Sequence, residues 1–158
     1  THLFARPMSD RYAACAERMK QYADGTWDYL YDFAYKVFDY LAVKTLIAEN
    51  LVPSYKQGDK NALKEIARVL LPTLKEKTVS VHKAHKKMWF ASNKILGWSN
   101  LDIRYAGMVA RCDTAIDLIE AYLSGELPNL EELDQERLHK PLSGFAHYSA
   151  MATPNIEI

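Results

Sequence analysis

The sequence predicts an all-α fold: a bundle of three to four long helices, with a short extra helix and an irregular C-terminal tail. Three observations carry this. Apolar residues recur at spacings of three and four over long stretches, the pattern of a helix with one buried face. No stretch alternates apolar and polar side chains for long enough to make a strand. The chain breakers fall mostly between the periodic stretches, so connections are short and neighbouring helices pack as a bundle.

The first helix is expected over about 8–24, with Ser9 or Asp10 as N-cap and Gly25 as its stop. Its apolar stripe is Tyr12, Cys15, Met19 and Tyr22. Thr26 is expected to cap a second helix through about residue 50, with Leu30, Phe33, Val37, Leu41 and Ala48 inward. Aromatic residues surround more than one of its faces, which predicts a central helix contacted from several sides. Residues 51–58, containing Pro53, break the pattern, and Asp59 restarts it.

The third helix carries a test of the proline rule. Pro72 lacks an amide hydrogen, and its ring crowds the preceding turn, so it should end or kink a helix. The stripe Leu63, Ile66, Leu70, Leu74, Thr78, Val81, His85, Met88 nevertheless keeps its spacing through the proline. One bent, continuous helix over about 60–91 is therefore expected. A fourth starts at an Asn100 cap and carries Leu101, Tyr105, Met108, Cys112, Ile116, Ile119 and Leu123. Gly125 ends it and Pro128 secures the stop. A short acidic helix over 131–138 and the tail complete the chain.

Composition bounds the function. The 158 residues are 49% hydrophobic and 25% charged, with formal net charge zero, ordinary values for one globular domain with a substantial core. No whole-molecule field favours nucleic acid or a membrane surface. No apolar run approaches the roughly 20 residues needed to span a bilayer. The sequence opens on Thr1, with no basic-then-apolar leader after it. It is read as a single helical domain over 1–158 cut from a larger chain. The two cysteines, Cys15 and Cys112, fit apolar helical positions as buried free thiols; a single pair carries no disulfide framework and identifies no compartment.

Catalytic signals are missing. No G-x-S-x-G, phosphate-cradling glycine loop or dinucleotide fingerprint occurs. His82 and His85 lie three apart on one helix face, where two metal ligands can sit. A third ligand would have to come from distant His139, His147 or an acid, so the pair is read as structural, and neither a metal nor another cofactor is assigned. Residues 56–87 hold nine Lys or Arg against three acids; spread around a helix, they predict a solvated face paired with acids elsewhere, not a nucleic-acid patch. The carboxylates Glu131, Glu132, Asp134 and Glu136 crowd one short polar helix, where nothing would separate the pKa of one from another.

Residues 89–111, WFASNKILGWSNLDIRYAGMVAR, differ in kind. Connectors between helices are usually small and polar; this one holds a tryptophan and leads into a charged helix start. Asp102 suits the positive end of the helix dipole, Arg104 there needs a partner, and Arg104 and Arg111 lie two turns apart on one face. Two readings follow. Trp98 plugs the end of the bundle while Arg104 pairs with an acid, or Trp98, Asp102 and Arg104 wall a polar pocket, with the indole face against a sugar ring.

The pattern W-x-x-x-N-K-x-x-G-W-x-x-x-D-x-R-Y-x-G-x-x-x-R, from Trp89 to Arg111, resembles the C-terminal helical region of bacterial glycoside hydrolase family 20 enzymes, the β-N-acetylhexosaminidases. A-x-x-x-I-E-A-Y-L-S-G-E and E-E-L-D-Q-E-R-L further along are similar to that region's closing helices. The resemblance covers about 63–138. Ser99 stands where an acidic residue is expected, and Ala106 where a second glycine precedes Gly107. Family members remove terminal N-acetylhexosamine with an adjacent Asp-Glu pair on a (β/α)₈ barrel, the substrate's acetamido group acting as nucleophile. No Asp-Glu pair occurs here, and a helical chain of this length cannot form a barrel of about 250 residues. The resemblance thus implies an accessory helical domain whose catalytic barrel lies upstream, with that barrel and N-acetylhexosamine-containing glycans as partners. The competing expectation is a free-standing interaction module that uses the exposed aromatics of its first two helices.

Overall fold

The computed structural model describes residues 7–22 and 24–135. Among the described residues every regular element is helical. In chain order these are α1 (Met8–Lys20), α2 (Asp28–Gln57), α3 (Lys60–Glu65), a π-helical turn (Ile66–Leu70), α4 (Leu71–Ser92), α5 (Trp98–Ser124) and α6 (Glu131–Asp134). The predicted all-α bundle is the observed fold.

The stretch through Pro72 is one rod without an intervening loop, as its periodicity predicts, and the structure supplies the mechanism. In a regular α-helix the ring of Pro72 would crowd the Arg68 carbonyl. Just before it the backbone widens into a π turn, and the Leu71 N–H donates to the Ile66 carbonyl five residues back. The extra residue also rotates the inward face. Leu71 joins Ile66 in the core, while Leu70, assigned to the stripe from sequence, is only half-buried. Asp59 does restart the helix, its carboxylate accepting from the Asn61 and Ala62 amides at 3.1 and 3.0 Å.

Several boundaries differ from expectation. Pro53 does not stop α2, which runs seven residues beyond Asn50. The proline removes one helical hydrogen bond, but the extra turns place Leu51 and Tyr55 against the core and bury Ser54, and tertiary packing outweighs the local breaker. The left-handed Gly58 (φ 69°) ends the helix instead. Within α2, Ile47 is buried where Ala48 was expected, and Leu30 is exposed. Neither Ser9 nor Asp10 caps α1. Glu49 of α2 does so from across the bundle, accepting from the Met8 N–H at 2.8 Å and the Ser9 hydroxyl at 2.8 Å. The Ser9 hydrogen bond lowers the Glu49 pKa. Helix α1 stops at Lys20, before Gly25, and α2 starts after Trp27 rather than Thr26. Helix α6 is shorter than expected; Glu136, His139, His147 and the predicted tail lie outside the described residues.

The core lies where α2, the α3–α4 rod and α5 meet, around Leu63, Ile66, Leu74, Val81, Cys112 and Ile119. Both cysteines are free; Cys112 is buried, which pushes its thiol pKa up. The basic run pairs outward as expected: Arg68 forks onto Glu120 (2.7 and 2.9 Å), Lys75 meets Asp113 (2.6 Å), Lys87 meets Asp28 (2.8 Å), and Lys77 meets Asp39. The exposed ones among these pairs contribute little stability. No described helix is long and apolar enough to cross a membrane.

Candidate functional site

The α4–α5 end of the bundle brings together His82, His85, Trp89, Phe90, Trp98 and Tyr105. On α4, His82, His85 and Trp89 fall at steps of three and four, hence on one face. On α5, Trp98, Asp102 and Tyr105 do the same. The two faces meet. The connection between them is tightly built: Asn93 is extended, Gly97 takes a positive φ of 87°, and the Trp89 indole N–H donates to the Lys94 carbonyl at 2.8 Å.

Trp98 is therefore not on a loop. It opens α5 and is buried at 3% exposure, because the Gly97 turn swings it back under the helix ends. Its ring lies nearly parallel to His82 (5.7 Å, 7°), edge-on to His85 (5.4 Å, 78°), and tilted against Trp89 and Phe90 at 5.9 and 5.5 Å. Its indole N–H finds no acceptor among the described residues, an uncommon state for a buried donor. Asn100, expected as the cap, lies inside α5.

His82 sits between the Trp98 and Tyr105 rings, and its Nε2 is 2.7 Å from Asp102 Oδ1. The outer edge of that pair is accessible, with the side chains 30% and 48% exposed. His85 lies deeper. Its Nδ1 shares a hydrogen bond with the Tyr105 hydroxyl at 2.9 Å, and its ring stacks on Phe33 of α2 at 4.7 Å. Burial, and then the neighbouring His82, lower the His85 pKa, which keeps it neutral at pH 7. Burial raises the Tyr105 pKa, so its phenol stays protonated.

The sequence-predicted trio is thus only partly assembled. Trp98 and Asp102 converge, bridged by His82, whereas Arg104 is exposed on another face of α5. Arg111 lies 3.7 Å from Glu132, at the rim of a recess of about 410 Å³ lined by Leu51, Leu118, Ile119, Leu127 and Leu130. Each histidine of the pair hydrogen-bonds a side chain of α5. The partners Asp102 and Tyr105 were not foreseen, although their matching three-residue spacing was visible. The arrangement presents an aromatic wall with a His–Asp polar edge.

With this geometry in view, the comparison with known families is direct. The family model of the Glycoside Hydrolase 20C C-terminal domain matches residues 1–146, so the similarity extends well upstream of the motif stretch. Among individually curated proteins none matches this chain. The matched stretch includes every described helix and the Trp98 corner. The chain belongs to the Glycoside Hydrolase 20C C-terminal domain family and is the helical C-terminal domain of a family 20 glycoside hydrolase.

Proposed function

We propose that this domain packs on the catalytic barrel of its own chain and steadies one wall of the barrel's sugar site, in an enzyme that removes terminal N-acetylhexosamine. In this reading 1–158 is a single domain with its barrel upstream. The observation that carries the proposal is the Trp98 corner, whose His82–Asp102 pair keeps an exposed edge at one bundle end. Asp102 keeps a free edge beside His82, suited to a substrate hydroxyl or a loop amide. Trp98 acts from within by fixing His82 and hence Asp102. Arg104, exposed on the same first turns of α5, reaches the barrel from the neighbouring face.

The test is steady-state kinetics of the full-length enzyme on a chromogenic N-acetylglucosaminide. Asp102→Asn and Arg104→Gln should raise KM or lower kcat, with at least one changing kcat/KM by about tenfold, equivalent to about 1.4 kcal/mol. Unchanged kinetics in both, or an unchanged thermal midpoint of the barrel when the whole domain is deleted, would contradict the proposal.

A further inference from the structure

Most of the apolar surface this domain exposes is at one end. Of the thirteen large hydrophobic side chains exposed among the described residues, seven flank the α1–α2 and α4–α5 connections. These connections are neighbours, because the Asp28–Lys87 bridge ties the start of α2 to the last turns of α4 and Phe33 stacks on His85. Scattered exposed apolar residues are normal for a soluble protein; a contiguous group marks a contact surface.

The most prominent members are adjacent. Ile95 is 72% exposed and Leu96 83%, in a connection where small polar residues are usual. Their presentation is fixed. Gly97 supplies the left-handed turn, the Trp98 N–H donates to the Ile95 carbonyl at 3.0 Å, and the Trp89 indole holds the Lys94 carbonyl. A turn braced in this way presents its apolar tip with little ordering left to lose on contact. Phe90 flanks the tip on one side. Trp27, Tyr22 and Tyr31 stand across the Asp28–Lys87 bridge, the two tyrosine rings 5.4 Å apart.

We infer that this bundle end is a docking face, with the Ile95–Leu96 tip seated in an apolar recess of the catalytic domain of the same chain and the aromatic groups sealing its rim. The inference rests on the supporting role proposed above and adds the surface and its chemistry. Tethering favours this occupant: a domain on the same chain is held at an effective concentration in the millimolar range, ahead of free partners or a second copy. The Trp98 ring packs against Phe90 of this face, their centroids 5.5 Å apart.

The experiment uses the full-length enzyme and its calorimetric unfolding. The double variant Ile95→Asp/Leu96→Asp should lower the barrel's midpoint by on the order of 5 °C, toward that of enzyme lacking this domain. A control pair on exposed side chains elsewhere, Val69→Asp/Val79→Asp, should leave it within about 1 °C. An unchanged midpoint in the double variant, with a lowered one on domain deletion, overturns the docking face but leaves the supporting role intact. An unchanged midpoint on domain deletion overturns that role itself. Sedimentation of the same samples identifies the other occupant: a parent dimer that the double variant dissociates, without moving the barrel's midpoint, assigns the face to a second copy and overturns the inference. Retained helical circular dichroism in both variants excludes misfolding as the cause.

Discussion

The two ends of the α4 rod are finished differently. Near the π turn, Leu63 is fully buried and Ile66, Ala67 and Leu71 nearly so, and the polar groups close by are satisfied within the chain. There the Tyr55 hydroxyl accepts from the Leu130 N–H and donates to Asp134, both at 3.0 Å. At the Trp98 end an equally well-packed aromatic group leaves an indole N–H without an acceptor among the described residues, and two aliphatic side chains stand almost bare. In the reading proposed above, the Trp98 end is the one that meets the catalytic domain.

Substitutions can break or sharpen the contrast. The largest effect is expected from Trp98→Ala, which removes the ring packed on His82, His85, Trp89 and Phe90. Denaturant unfolding of the chain should show a loss of about 3–5 kcal/mol, the range for a buried large aromatic. A loss below about 1 kcal/mol would show that the aromatic end is not packed as described. Leu63→Ala at the closed end should cost about 2–5 kcal/mol. In the full-length enzyme it should leave the KM for N-acetylglucosaminides unchanged, whereas Trp98→Ala should change it; equal kinetic effects would erase the distinction between the ends. Asp59→Ala removes the cap of α3 and should cost about 1 kcal/mol, again by denaturant unfolding.

The smallest effect concerns pH. Because burial lowers the His85 pKa in the folded state, the unfolded chain binds a proton first as pH falls. Stability from the neutral ring is complete above about pH 6.5, the unfolded value, and declines below it until the folded pKa is reached. Glu49 has the same sign in a more acidic window: its lowered pKa contributes stability that is lost as pH falls below the ordinary carboxylate range. His85→Gln should flatten the thermal-midpoint profile just below about pH 6.5. An unaltered slope would mean that His85 is not held neutral by this end of the bundle.

Two prolines show how far the sequence could be read. At Pro72 the apolar stripe continued on both sides, so a continuous rod was legible; the π turn that exchanges Leu70 for Leu71 was not, because periodicity does not reveal a single inserted residue. At Pro53 the flanking Ser54, Tyr55, Lys56 and Gln57 carry no apolar period, and only contacts from distant segments, such as Leu130 on Tyr55, keep α2 going. The Trp98 corner was visible as an anomaly of composition. Its assembly was not, since which face of α4 meets which face of α5 is settled by packing between helices. The Glu49 cap on α1 was hidden for the same reason, with its carboxylate forty-one residues from the Met8 amide it holds.

The central claim, that the Trp98 end is covered by the catalytic domain, is tested most directly by hydroxyl-radical footprinting of the native full-length enzyme. Within this domain Leu96 is twice as exposed as Leu118, 83% against 40%, so an uncovered end must label Leu96 more heavily. The account predicts the reverse order, with Leu96 protected and Leu118 labelled. Heavier labelling of Leu96 than of Leu118 would contradict it.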